Sequence, residues 1–342
     1  MSVATAGRPR TVAVIGATGA VGREALERLH SRKFPVGELR AIASQRSAGG
    51  TLPFAGGQIT VQALEDRAID GVQVAILAAD AATSRAWAPK LVAAGAVVVD
   101  NSSAYRMDPT VPLVVPEING SELTSRPSLV ANPNCTTIIS LMAAAPLHRA
   151  FGLRRITACS YQAVSGAGLP AMQELEGQAK QWAAGAPVEA KVFRRPTLFN
   201  VFPHDSPLLP DGSNEEETKL VNESRRILGA PGLRVSVTCV RVPVRRAHAV
   251  ALHLEFETPV DPEAAREVLA KADGVRLVDE RAGSPADPLM AAEGDAVLVS
   301  RIRRDHGATD GHGLALWTVG DQLLKGAALN AIQIAERLIA AG

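Results

Sequence analysis

The sequence predicts an α/β protein of two domains: a doubly wound, mainly parallel sheet comes first, an α+β domain follows, and the last helix returns to the first domain. Three observations lead there. At 342 residues, 46% apolar and 21% charged, the chain is too long for one ordinary core. Up to about residue 134, short apolar runs alternate with stretches of helical spacing, the pattern of parallel strands joined by crossover helices. From Phe151 onward the runs lengthen and alternate apolar with polar residues, as strands of a mostly antiparallel or mixed sheet do. The expected domains are residues 1–134, completed by 321–342, and residues 135–320.

The first strand, Thr11 to Ile15, runs into Gly16-Ala17-Thr18-Gly19-Ala20-Val21-Gly22, and helical spacing follows at Ala25, Leu26 and Leu29. A strand, glycine turn and helix in that order let a dinucleotide pyrophosphate reach backbone N–H groups at a helix N-terminus, so the domain reads as Rossmann-type. The spacing Gly-x-x-Gly-x-x-Gly varies the usual fingerprint, and the flanking strand and helix are what give the glycines meaning. The next strand, Leu39 to Ala43, should end near the adenosine ribose, where an NAD site would offer a carboxylate. Here the chain offers Ser44, Arg46 and Ser47 instead. An arginine between hydroxyls suits a 2′-phosphate, which points to NADP; a solvated polar loop is the alternative. Strands at Val72 to Leu77 and Ala96 to Asp100 bracket a helix over Ala82 to Ala94, with Gly95 as its cap. Arg106 follows a strand end, where ligands of such sheets lie, and either holds an anion or is a surface arginine.

Leu129 to Ala131 is a short apolar run, Pro133 breaks it, and helical spacing begins at Ile138, so Asn134 and Cys135 fall at a helix start. A thiol there faces unpaired N–H groups and the positive end of the helix dipole, which favours the thiolate. Taken alone, a cysteine is as readily a small buried hydrophobe. The second domain has strands at Arg154 to Tyr161, Arg234 to Arg241, Ala247 to Thr258, Ala296 to Arg304 and Leu314 to Val319, with a loop over Phe202 to Gly212. The last helix, Leu323 to Ala340, carries an apolar stripe from Leu324 to Leu338 that suits packing on the first domain.

A net charge of +1 indicates no nucleic-acid partner. The longest apolar runs, such as Ala93 to Val99, fall far short of the roughly 20 residues of a bilayer span, and no secretory signal opens the chain. Cys135, Cys159 and Cys239 make no paired framework, so a reducing cytoplasm is the expected home. The seven histidines show no metal-ligand spacing, and no metal is expected.

Taken together, Gly16 to Gly22, Ser44 to Ser47, Asn132-Pro-Asn-Cys135, Tyr161-Gln-Ala-Val-Ser-Gly-Ala-Gly168, Arg241-Val-Pro-Val-Arg-Arg-Ala-His248 and Lys325-Gly-Ala-Ala-Leu-Asn330 closely resemble the aspartate-β-semialdehyde dehydrogenase family, from about Val12 to Leu338. The resemblance implies a homodimer that reversibly converts L-aspartate 4-semialdehyde, phosphate and NADP+ to aspartyl-4-phosphate and NADPH, serving lysine, threonine and methionine biosynthesis. By position it implies Cys135 as nucleophile, Gln162 as the residue that helps position it, and His248 as acid/base. Arg241 matches the ligand of the substrate carboxylate and Glu216 that of its amino group, while Arg106, Asn134 and Lys219 match the phosphate site. To NADP it assigns Gly16, Thr18, Gly19, Ala20, Val21, Gly22, Ser44, Arg46, Ser47, Ser165, Gly166 and Gln322. Arg246-Ala247 precedes His248 where the family frequently has a small residue such as glycine, and Phe202 occupies an aliphatic position; both are expected to be packing changes.

The residues allow the implied chemistry. A Cys135 thiolate adds to the aldehyde, His248 takes the hydroxyl proton as hydride leaves, and phosphate gathered by Arg106 and Lys219 attacks the thioester. An N-acetylated substrate would strand the Glu216 carboxylate without its ammonium and be rejected. Singly, each residue has a plainer reading: His248 as a core histidine, Gln162 as an edge-strand polar residue, Glu216 and Lys219 as a solvated ion pair at i, i+3. The rival functions are N-acetylglutamyl-phosphate reductase, whose cysteine block usually reads glycine-cysteine-tyrosine, and a non-catalytic NADP-binding paralogue, which need not keep Cys135 or His248.

Overall fold

The structure is a computed structural model that describes residues 8–281, 283–308 and 310–340. It divides into two compact units, one running to Asn134 and resuming at Ala327, the other Cys135–Gly326.

The first unit holds strands β1 (Arg10–Ile15), β2 (Val36–Ala43), β3 (Thr51–Phe54), β4 (Gly57–Ala63), β5 (Val74–Leu77), β6 (Val97–Asp100) and β7 (Leu129–Ala131), ordered β3-β4-β2-β1-β5-β6-β7. Every pairing is parallel except the β3–β4 hairpin, which sequence reading missed. Its two turn residues, Ala55 and Gly56, both take positive φ (51° and 80°), as a type I′ turn requires. Helices α1 (Ala20–Ser31), α2 (Asp66–Ile69), α3 (Ala81–Ala93) and α4 (Pro116–Asn119) complete the crossovers. Val12 and Val14 of β1 pack with Ala25, Leu26 and Leu29 of α1, whereas Ala13 and Ile15 pack on the other face with Ala68, Ile69, Ala88 and Leu91. Because both faces are covered, β5 and the Val12–Ile15 part of β1 are apolar throughout.

The chain's last helix, Leu329–Ala340, supplies Ala331, Ile332, Ile334, Ala335, Leu338 and Ile339 to the α1 side of this core, so its return is a packing necessity. Asn330 Nδ2 donates to Asn132 Oδ1 at 2.6 Å and to the Val114 carbonyl at 3.0 Å, and the Arg32 guanidinium grips Glu336 at 2.8 and 2.7 Å. A single helix from Leu323 was expected. Instead Leu324–Ala328 is π-helical and α-helix begins only at Leu329.

The second unit is built on α5 (Cys135–Phe151) and strands β8 (Leu153–Gln162), β9 (Phe202–Pro203), β10 (Arg234–Arg241), β11 (His248–Phe256), β12 (Val275–Leu277), β13 (Val297–Arg304) and β14 (Gly313–Gly320), ordered β12-β13-β14-β11-β8-β10-β9. Helices α6 (Leu169–Ala183), α7 (Glu215–Ile227), α8 (Pro262–Ala270) and α9 (Pro288–Ala291) flank it. The sheet is mixed: β8 pairs β10 in parallel and β12 pairs β13 in parallel, and the rest is antiparallel. The expected loop from Phe202 in fact starts as an edge strand, where the missing N–H of Pro203 breaks no ladder. Phe202 meets Phe193 edge to face with ring centroids 5.9 Å apart, which accommodates the larger side chain at that position. Helix α5 is buried on almost every side, from Thr136 through Ala145, and is accordingly mostly apolar, with Thr136, Thr137 and Ser140 as its buried hydroxyls.

Candidate active site

Alternation along three neighbouring strands puts polar side chains at one end of the sheet face that α5 covers. In β8 the inward set is Ile156, Ala158, Ser160 and Gln162; in β11 it is His248, Val250, Leu252, Leu254 and Phe256. Arg241, the last residue of β10, lies in register with Gln162 on the parallel neighbour and so shares its face. All three are almost wholly buried. Cys135 is the first residue of α5, as sequence reading placed it, and the residue after it, Thr136, accepts a 2.8 Å hydrogen bond from Gln162 Nε2.

That amide also donates to Glu216 Oε1 at 3.0 Å, and since a carboxylate can only accept, Gln162 has its nitrogen towards Glu216 and its oxygen away. Gln162 Oε1 is buried with no hydrogen-bond partner among the described residues. Glu216 sits in the first turn of α7, where Asn214 caps with its side chain on the Glu217 N–H and Glu217 returns the bond in a full capping box. Lys219 Nζ reaches Glu216 Oε2 at 3.0 Å. The Glu216 side chain is only 7% exposed and that of Lys219 30%, so the pair is more than the solvated i, i+3 contact considered from the sequence.

Arg241 Nη1 donates to the Ala163 carbonyl at 2.8 Å and Nη2 to His204 Nε2 at 2.8 Å, with the guanidinium 5.4 Å from the centre of the Phe193 ring. Its Nε–H has no partner among the described residues. His204 receives the Ser206 N–H at Nδ1 as well, at 3.2 Å. A neutral imidazole has one lone-pair nitrogen, so the two contacts compete, and the shorter bond from a cation prevails. Burial, with Arg241 adding to it, lowers the pKa of His204 against the opposing pull of Glu216. Neither His204 nor Ser206 was picked out from the sequence, because the 202–212 stretch has no periodicity to give them a side.

His248 is completely buried, and its Nδ1 accepts the Ala163 N–H at 3.0 Å. Burial, reinforced by the Arg241 charge, pushes its pKa down to about 3. Nε2 has no partner among the described residues. Gly166 leaves room beside it: a Cβ there would stand 3.1 Å from Arg241 Nη1 and 3.3 Å from His248 Nε2. The preceding residue, Ala247, has φ 71°, a left-handed backbone that costs a non-glycine residue roughly 1–2 kcal/mol. The position therefore makes a backbone demand that a small residue meets most easily, in addition to any packing change. Gln322 holds this turn, accepting the Ala247 N–H at 2.8 Å and donating to Ser165 Oγ. Arg246 ties to the fully buried Asp321 at 2.5 Å, fixing the residue next to Gln322. Gly326 in the π-helix lies close against Cys135, since a Cβ there would come 2.9 Å from Cys135 Cβ.

In the first unit, Gly16 turns at φ 87° with the Ala78 carbonyl 2.3 Å from where a Cβ would lie, and a Cβ on Gly22 would meet the Gly16 carbonyl at 2.2 Å. Gly19 is the N-cap of α1 and offers no side-chain acceptor, which leaves the first N–H groups of the helix, at Ala20, Val21 and Gly22, to an outside anion. Thr18 lies in the turn between them. Ser44 precedes a short 3-10 turn, Gln45–Ser47, in which Arg46 is exposed and its side chain has no hydrogen-bond partner among the described residues. This backbone cradle and unspent guanidinium fit a dinucleotide with a 2′-phosphate. Arg106 Nε donates to the Asn132 carbonyl at 2.9 Å and Nη2 to the Asn101 carbonyl at 2.7 Å, which holds its charge beside the Asn132-Pro133-Asn134 turn. Asn134 is buried.

Cys239 is buried, and desolvation pushes its thiol up to about 12, which fits a structural role. Cys159 is half-buried on the opposite face of β8. Among the described residues no group of His, Cys, Asp and Glu is placed to hold a metal, and no helix is long and apolar enough to cross a membrane.

Comparison with known proteins places two family models on the chain: semialdehyde dehydrogenase, NAD binding domain, over residues 11–126, and semialdehyde dehydrogenase, dimerisation domain, over residues 144–325. An aspartate-semialdehyde dehydrogenase from Synechocystis sp. is 48% identical over 98% of both chains. One from Aquifex aeolicus is 44% identical over 97% of this chain and 98% of its own. Among solved structures, aspartate semialdehyde dehydrogenase II complexed with ASA from Vibrio cholerae superposes with a TM-score of 0.92 at 41% identity, covering 97% of this chain and 98% of that one.

Proposed function

The chain belongs to the aspartate-semialdehyde dehydrogenase family, and from that premise we propose that it carries out the reversible, NADP-dependent, phosphorylating oxidation of L-aspartate 4-semialdehyde to L-4-aspartyl phosphate. The observation that carries the reading is the convergence, at one end of a single sheet face, of Gln162, Arg241 and His248 beside the helix that begins with Cys135. Each of the three keeps one buried polar atom without a partner among the described residues: two donors, Arg241 Nε and His248 Nε2, and one acceptor, Gln162 Oε1. Buried polar groups are normally satisfied, so the set calls for a ligand that offers acceptors and a donor together, as a zwitterionic amino-acid aldehyde does.

In this reading Cys135 is the nucleophile, its thiolate favoured by the start of α5. Gln162 orients that helix start through Thr136. Arg241, anchored on Ala163 and His204, turns its remaining N–H groups to the substrate carboxylate. Glu216 takes the ammonium, and Lys219, released from it, joins Arg106 and Asn134 in serving phosphate. His248 meets the oxygen on which charge develops. Gly16, Thr18, Gly19, Ala20, Val21 and Gly22 hold the pyrophosphate, and Ser44, Arg46 and Ser47 the 2′-phosphate, while Ser165, Gly166 and Gln322 serve the nicotinamide end. NADP, when bound, supplies the hydride acceptor. Residues 1–134 with the last helix form the NADP-binding domain and the remainder the catalytic and dimerisation domain of a cytoplasmic homodimer. The half-exposed sheet face away from α5, with Cys159, Tyr161 and Trp317, is the surface offered to a second copy.

The test is NADPH formation by the purified protein with L-aspartate semialdehyde, with and without phosphate, beside N-acetylglutamate semialdehyde. Phosphate-dependent turnover of the first aldehyde alone is expected. Equal turnover of both, or turnover indifferent to phosphate, would refute the assignment.

A further inference from the structure

We infer that His204-Asp205-Ser206 is the specificity-determining segment of this site: His204 aims Arg241, Ser206 seats Glu216, and their spacing selects an aldehyde that bears an α-carboxylate and an α-ammonium together. This rests on the function proposed above. The segment is stitched between the two elements that carry those charged groups. On one side, Phe202 and Pro203 pair with Arg241 and Val240 at the end of β10, and the His204 N–H donates to the Cys239 carbonyl at 2.8 Å. On the other, Ser206 Oγ accepts the Glu216 N–H at 3.2 Å and donates to Asn214 Oδ1 at 3.2 Å, while the Glu215 N–H donates to the Pro207 carbonyl at 3.0 Å. Both positioning residues thus act through another side chain or helix turn, and neither was marked by any motif in the sequence.

Arg241 is 2% exposed and commits both terminal nitrogens, Nη1 to the Ala163 carbonyl and Nη2 to His204 Nε2, each at 2.8 Å. Two fixed points set the plane of a guanidinium, whereas the Ala163 bond alone would leave it free to pivot. Its Nε–H is buried without a partner among the described residues. Nε and Nη2 form the edge with which an arginine forks a carboxylate, as Arg32 does on Glu336. Holding Nη2 therefore decides where that edge points. The contact needs a lone pair on Nε2, which puts the ring hydrogen on Nδ1. Two charges favour this tautomer: the Arg241 cation at Nε2, and the Asp205 carboxylate, whose Oδ1 lies 4.0 Å from Nδ1 and 3.9 Å from Arg241 Nη2. Burial, with Arg241 and Lys219 adding to it, keeps the ring uncharged at neutral pH against the pull of Glu216 and Asp205. The Ser206 N–H, 3.2 Å from Nδ1, is the contact that yields.

Three aldehydes separate the two ends of the substrate. L-Aspartate semialdehyde carries both charges, succinate semialdehyde the carboxylate alone and 3-aminopropanal the ammonium alone. NADPH formation with phosphate present gives kcat/KM for each; where turnover of a single-charge aldehyde is too slow to follow, its inhibition constant against aspartate semialdehyde takes that place. His204→Leu should lose about 10–100-fold on the two carboxylate-bearing aldehydes, the scale of a hydrogen bond to a charged group, and at least fivefold less on 3-aminopropanal. Ser206→Ala should show the converse, losing about threefold to tenfold on the two ammonium-bearing aldehydes, the scale of a neutral hydrogen bond. His204→Gln, which returns an acceptor to Nη2, should recover most of the loss seen in His204→Leu. A uniform loss over all three aldehydes, or Gln no better than Leu in folded variants, overturns the inference. In the wild type itself, nitrogen-15 NMR of histidine-labelled full-length protein without ligands, with the His204 signal assigned by its loss in His204→Gln, should report the Nδ1–H tautomer at pH 7 to 8. An Nε2–H tautomer or an imidazolium overturns it as well. Should the wild type make no NADPH from aspartate semialdehyde, the proposed function fails, and the tautomer measurement still decides whether His204 holds Arg241.

Discussion

At the scale of single residues, the site is assembled from groups that satisfy one another and leave a specific remainder. Glu216 illustrates this best. Discrimination against an N-acetylated substrate was expected from a carboxylate stranded without an ammonium, but Glu216 already holds Lys219 and Gln162 when no substrate is present. Under the proposed function, rejection is expected to come from the bulk of the acyl group and from failure to release Lys219, not from an orphaned charge. For His248, burial creates a pH dependence whose sign follows from its depressed pKa of about 3. An unfolded histidine takes up a proton near pH 6.5 that the folded ring refuses, so its contribution is intact above 6.5 and is lost as pH falls towards 3. By pH 4.5 the loss should approach roughly 2–3 kcal/mol. Urea unfolding of wild type and His248→Gln at pH 7 and 4.5 measures it: the variant should lose distinctly less stability between the two, and equal losses would contradict the burial argument. Arg46 is exposed, and its side chain has no hydrogen-bond partner among the described residues, which supports its proposed role at the 2′-phosphate. Arg46→Ala should weaken NADP binding roughly tenfold to a hundredfold and leave NAD untouched, as titration with the two cofactors would show.

At the scale of elements, what could be read from the sequence tracks how local the cause is. The turn after β1 was legible because glycines at Gly16 and Gly22 answer carbonyls 2.3 and 2.2 Å from a would-be Cβ, a constraint set within one strand, one turn and one helix. The start of α5 at Cys135 was legible for the same reason, with Pro133 and the apolar spacing both adjacent to it. The β3–β4 hairpin was missed because Ala55 adopts positive φ without being glycine or asparagine, so the usual signal is half absent. The π-helix over Leu324–Ala328 was missed because an extra residue in a turn leaves the apolar stripe nearly intact. That turn matters to the chemistry, since it presses Gly326 against Cys135. Gly326→Ala, with its methyl 2.9 Å from Cys135 Cβ, must displace one or the other. A shift near 1 Å at a nucleophile can cost about 10²-fold, so kcat and the rate of alkylation by iodoacetamide should fall together while the unfolding midpoint changes little. Unaltered kcat would mean that the nucleophile tolerates the displacement.

At the scale of the whole molecule, the proposed function gives dinucleotide binding to one unit and covalent chemistry to the other, and residues far apart in sequence meet because strand ends collect them. Arg241 and His248 are separated from Gln162 by about eighty residues, and only the parallel register of β8 with β10 and the antiparallel register with β11 put them at one edge. That juxtaposition was not legible from periodicity; it entered through resemblance to a family, whereas His204, Ala163 and the orientation of the Gln162 amide became visible only in three dimensions. The central claim is that Cys135 carries the acyl group between the oxidation and the attack of phosphate. It is tested most directly by mixing enzyme with NADP+ and L-aspartate semialdehyde in the absence of phosphate, then digesting and weighing the peptide that contains Cys135. One NADPH per subunit, with an aspartyl mass added to Cys135 that disappears when phosphate is supplied, is the predicted result; a full equivalent of NADPH with Cys135 unmodified would contradict it.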